Sequence, residues 1–141
     1  MAVPGGSAGS LILRLLIAAG LVVDAVIHLR LAGGYQLAQP GGIGEGNLFR
    51  IEAVVALLVA AYLLLRPSRA AYGLAALVAL SALAAVVVSR YVNLPAFGPI
   101  PSTYEPIWFF QKTLSAVAEG AAGALALIGM FMQGQRNRPA R

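Results

Sequence analysis

The stretch LILRLLIAAGLVVDAVIHLRL, residues 11–31, decides the fold. A helix needs about 20 predominantly apolar residues to cross a bilayer. This run meets that length, and its later half carries Asp24, the chain's single histidine His28, and Arg30. At about 3.6 residues per turn, Asp24 and His28 share one helix face. Arg30 points away from that face, and its long stem lets the guanidinium reach headgroups. A charge at the bilayer centre costs about 2.5–3.5 kcal/mol on insertion scales. Such groups therefore pair, hydrate or serve a function.

Three further apolar segments follow, at 48–65, 70–90 and 107–132. Asn47 is a plausible cap for the second, and Arg66-Pro67 stops it. Ser68 is a capping residue type before the third. Pro106 precedes the fourth. The expected architecture is all-α, an integral membrane antiparallel four-helix bundle over residues 11–132. A flexible segment, 1–10, precedes it, and a basic cytoplasmic tail, 133–141, follows. The first segment reads as a retained helix and not as a secretory signal. Its flank has no basic residue before Arg14, and its apolar run exceeds the roughly 7–15 residues of a signal core.

Composition agrees. Hydrophobic residues make up 60% and charged residues 11% of the 141, against roughly half and a quarter in soluble domains. With no cysteine, disulfides, thiolate metal sites and cysteine nucleophiles are excluded. The net charge of +5 comes from scattered arginines with no aromatic interleaving, which argues against nucleic acid. A positive-inside bias explains it better. Arg66 and Arg69 join the second and third segments, and Arg136, Arg138 and Arg141 lie in the tail. These regions share a side, so both termini are expected in the cytoplasm. The glycine-dense loop 33–46 and the proline-rich loop 91–106 then face outward. Trp108, Phe109 and Phe110 suit an interfacial aromatic belt.

Two rows of small residues at four-residue spacing, Ala71-Ala75-Ala79 and Ala116-Gly120-Ala124, predict close helix packing or self-association. The remaining buried polarity is Glu52 in the second helix and a Lys112-Ser115-Glu119 stripe in the fourth. The candidate ligand-binding residues are thus Asp24, His28, Glu52, Lys112 and Glu119, converging on the bundle interior. Asp24 is expected to pair with His28, and Lys112 with Glu52 or Glu119. The set reads either as an ion-paired structural network or as a hydrated pocket open to the outer side. A metal or haem site is disfavoured. The spacing is not the Glu-x-x-His of di-iron bundles, Glu119 reads as too deep, and only one histidine is present for haem. A proton relay or small transporter would need a polar path below Glu119, and the sequence offers none. No Ser–His–Asp order, phosphate loop or dinucleotide fingerprint is present. Nothing points to a catalytic centre, so the enzyme question leans towards no.

The layout resembles the DoxX-like family of small four-helix bacterial membrane proteins. The similar parts are Arg14-Leu15-Leu16, Phe49-Arg50-Ile51-Glu52-Ala53, and the Arg66–Ala71 step into an alanine-rich third helix. The Asp24/His28 pair and the long proline-rich loop depart from that pattern. The resemblance implies a multi-pass protein of a bacterial cell membrane. It also implies a role linked to membrane oxidoreduction, with a quinone as cofactor and a membrane protein partner or homo-oligomer. No catalytic residue carries over.

Overall fold

The computed structural model describes residues 5–139. Four helices follow one another: α1 Gly5–Ala38, α2 Glu45–Leu65, α3 Arg69–Tyr91 and α4 Phe110–Arg136. Among the described residues there is no strand, and a single isolated bridge, Phe97 to Ile100, pins the α3–α4 loop. Each helix is long and apolar enough to cross a bilayer.

The bounds of α1 and α4 differ from expectation at both ends of each helix. Helix α1 begins at Gly5, so residues 5–10 are helical and not a flexible segment; residues 1–4 lie outside the described residues. It also runs through Gly33 and Gly34 to Ala38, so the expected loop 33–46 shrinks to residues 39–44. Helical glycine costs roughly 0.5–1 kcal/mol relative to alanine. Anchoring at Tyr35, whose ring packs 4.7 Å from that of Phe49, outweighs this cost. At its start, α4 begins at Phe110 instead of 107, because Phe109 is extended at φ −135° and ψ 166°. At its end α4 continues to Arg136, so residues 133–136 of the expected tail are helix.

The capping expectations divide. Ser68 caps α3, its Oγ accepting from the Ala71 N–H at 3.1 Å. Asn47 does not cap α2. Gly44 holds that position, and Asn47 sits inside the first turn with its Nδ2 donating to Ile43 O.

Neighbours pack in chain order, most closely α1 with α2 and α3 with α4; α1 and α4 join the pairs, and α2 with α3 meet least. Arg14 Nη1 donates to Leu64 O at 3.1 Å, tying the start of α1 to the end of α2. At the other end, the Asn47 N–H donates to Gln36 Oε1 at 2.9 Å. The core is largely alanine: Ala25, Ala53, Ala56, Ala75 and Ala126 are fully buried, with Ile17, Leu21, Leu63 and Tyr72 between them. Small side chains let backbones approach, which is how helices in lipid gain dispersion contact.

The Ala71-Ala75-Ala79 row is buried as expected. The Ala116-Gly120-Ala124 row is not the packing face of α4, since Ala124 is exposed. Burial of Lys112, Ser115 and Glu119 sets the rotation of this helix. The same face then continues through Ala122, Gly123, Ala126 and Gly129. At Gly129 a Cβ would fall 2.2 Å from the Tyr72 ring.

The polarity is inverted relative to a soluble bundle. Leu58, Leu77, Val117 and Phe131 are each more than 60% exposed, whereas Asp24, Lys112, Ser115 and Glu119 are buried. Such an apolar exterior is at home against lipid chains and not against water.

Candidate intramembrane pocket

The polar cluster is built from one face of α1 and one face of α4. His28 follows Asp24 by one turn, placing its Nδ1 3.0 Å from the Asp24 backbone oxygen and 3.0 Å from Asp24 Oδ1. This is the expected Asp24–His28 pair. Across the interface, Ser115 Oγ lies 2.6 Å from Asp24 Oδ1 and 2.7 Å from Glu119 Oε1. A hydroxyl has one proton to donate. It cannot donate to both oxygens, so the two carboxyl groups and the hydroxyl must share a second proton or another cation. Asp24 Oδ2, Glu119 Oε2 and Glu52 Oε1 are buried without a hydrogen-bond partner.

Above this cluster lies a cavity of about 250 Å³. His28, Glu52 and Ser115 reach it from below. Its walls are Ile27, Leu31, Phe49, Ala82 and Val86, and Tyr35, Glu45, Glu105 and Lys112 stand around its mouth. On the α3 side Ser81 and Ala85 line the cavity yet remain exposed, and there α2 and α3 pack least closely. An apolar cavity of about 150 Å³ suffices for a benzene ring, so this one has room for a ring-sized head group.

Glu105 organises the mouth. The Tyr35 hydroxyl donates to Glu105 Oε2. Lys112 Nζ donates to Glu105 O at 2.8 Å, and the Glu105 N–H donates to Ser89 O at 2.7 Å. One loop residue thereby joins α1, α3 and α4. Lys112 also lies 5.5 Å from the centre of the Trp108 ring, close enough for a cation–π contact.

The five expected site residues are therefore near one another but in two layers. His28, Glu52 and Lys112 line the cavity, while Asp24 and Glu119 sit beneath it. The expected pairing of Lys112 with Glu52 or Glu119 does not form. With α4 starting at Phe110, Lys112 falls in the first turn, level with the loop and Glu105. The depth expectation for Glu119 is also corrected. It lies nine residues into α4, about 14 Å at ~1.5 Å per residue. Asp24 lies about 21 Å from the longer end of α1 by the same rise, and the two carboxyl groups meet across Ser115. Tyr35, Glu45, Glu105 and Ser115 were not among the expected site residues. The Lys112-Ser115-Glu119 stripe signalled Ser115; Tyr35 and Glu45 lay hidden in a stretch whose glycines read as loop.

Fold and site together define four helices of membrane-spanning length around a cavity with apolar walls and a polar base. No protein-family model, curated protein or solved structure matches the chain, so the functional reading rests on this geometry.

Proposed function

We propose that the chain is a multi-pass protein of a bacterial cell membrane, an antiparallel four-helix bundle with both termini cytoplasmic. It binds a small amphiphile in the cavity at its outer end, as a binding or complex-partner subunit. The observation that carries this reading is the cavity itself, with apolar walls, polar groups at base and mouth, and exposed flanking residues between α2 and α3. Ligand sites typically combine an apolar lining with a few placed polar groups. An amphiphile satisfies both, its head meeting His28, Glu52 and Ser115 while its chain leaves between α2 and α3 towards lipid.

A second reading makes that head group a quinone, as the DoxX-like resemblance implies. Its support is the placement of polar side chains at two levels, His28 and Ser115 low and Lys112 about one turn higher. A flat ring with an acceptor at each end fits between them, against Phe49 and Phe109. A transporter gains nothing from the geometry, because below Glu119 the helices close on Ile17, Leu21, Ala122 and Ala126.

Mass spectrometry of the protein purified in mild detergent tests this reading. A stoichiometric quinone or single-chain amphiphile is expected, and a ligand-free preparation that also fails to bind added quinone or lipid contradicts it. Separately, a reporter fused after Arg141 is expected in the cytoplasm; activity on the outer side would invert the assignment of the working face.

A further inference from the structure

Beneath the cavity floor, Asp24, His28 and Glu119 each offer one ligand atom, and these atoms all lie within 4.8 Å of one another. We propose that these three residues bind one divalent first-row transition-metal cation, of the Mn²⁺, Fe²⁺ or Zn²⁺ type. The proposal stands apart from the amphiphile reading and does not need it.

Four observations carry it. Asp24 and Glu119 are each 1% exposed, and each keeps one oxygen, Oδ2 and Oε2, with no hydrogen-bond partner. Carboxyl oxygens buried this way are costly unless a cation or a donor meets them. An ion between them accepts both. Second, the charge balances, since two carboxylates and a neutral imidazole neutralise a divalent ion. Third, the donor types are right. Imidazole with carboxylate suits Zn, Fe and Mn, and no thiolate is present to favour softer metals. Metal–ligand bonds of about 2.0–2.2 Å set neighbouring ligand atoms roughly 3–3.5 Å apart, so the observed grouping needs only a small inward closure. Fourth, Ser115 Oγ lies within hydrogen-bond distance of both carboxyl groups and can donate its one proton to either, supporting them as polar groups behind metal ligands commonly do. The cavity supplies a route to His28 and Ser115, lined by the oxygen donors of Glu45, Glu52 and Glu105 together with Lys112.

The rival state is a metal-free cluster in which the carboxyl pair shares a proton. The test uses the untagged full chain in detergent, stripped with EDTA and dialysed against Mn²⁺ or Zn²⁺. About one metal per chain is expected by elemental mass spectrometry, with His28→Ala and Glu119→Gln each weakening Mn²⁺ binding by about tenfold or more. The wild type supplies a measurement that does not depend on the variants folding. The sequence has one histidine, so imidazole nitrogen coupling in the pulsed EPR of bound Mn²⁺ identifies His28. Background-level metal, bound Mn²⁺ without that coupling, or undiminished binding by a folded Glu119→Gln protein would overturn the proposal.

Discussion

Gly46→Ala is expected to force α1 and α2 apart and to cost the protein more stability than any other single methyl group on this interface. A Cβ at Gly46 would lie 2.1 Å from the Ala32 backbone oxygen, 2.6 Å from Gln36 Cβ and 2.8 Å from the Gln36 nitrogen. Two of these three are backbone atoms, so no rotamer change relieves the overlap and one helix must move. Overpacking of this kind costs about 1–3 kcal/mol, occasionally more. Movement here also loosens the Asn47-to-Gln36 bond and the Tyr35–Phe49 contact, which hold the cavity's α1–α2 wall. Thermal unfolding in detergent checks it. Gly33→Ala and Gly34→Ala are the controls, because a Cβ at either position meets nothing within 4 Å. Alanine is the better helix former by roughly 0.5–1 kcal/mol, so these two substitutions should be neutral or slightly stabilising.

Ala82→Phe should abolish retention of the amphiphile while leaving the bundle folded. Ala82 lines the cavity and is 8% exposed. A phenyl ring there enters open space of about 250 Å³ instead of packed atoms, so overpacking is avoided and the ligand's volume is taken. The bound amphiphile recovered per chain should fall at least tenfold, about 1.4 kcal/mol in binding, with thermal stability equal to or above wild type. Val87→Phe, at an exposed position next to Val86 but outside the lining, should leave the ligand in place. Equal retention by Ala82→Phe and wild type would move the ligand out of the cavity.

Helix number and type were legible because each span carries its own hydrophobic signal. The Asp24–His28 pair and the Lys112-Ser115-Glu119 stripe were legible for a similar reason, since helical spacing alone puts those side chains on shared faces. What the sequence obscured depends on contacts between distant residues. Gly33 and Gly34 read as a loop, yet Tyr35, just beyond them, is fixed by Phe49 and by Glu105, 70 positions away. Asp24 and Glu119 meet across Ser115, a contact between α1 and α4 that no span length shows. A depth argument from the apolar run alone therefore set them apart and disfavoured a shared cation. Pro106 reads as the helix boundary, but residues 107–109 stay outside α4 and Phe109 is extended, so Lys112 lies level with Glu105 and away from Glu52 and Glu119. In α4 the alanine and glycine positions offered several equivalent small-residue rows. Only the cost of exposing Glu119 selects the one that packs.

Single-cysteine labelling tests the central claim most directly, because the native chain contains no cysteine and each introduced thiol is unique. In intact cells, a membrane-impermeant maleimide added outside should modify Ser89→Cys at the mouth at once and Ala82→Cys inside the cavity more slowly, as the amphiphile exchanges. It should leave Leu77→Cys, exposed on the apolar exterior of α3, unmodified. An inert Ala82→Cys beside a reactive Ser89→Cys, or labelling of Ala82→Cys from the cytoplasmic side alone, would contradict a water-reachable polar niche at the outer end of the bundle.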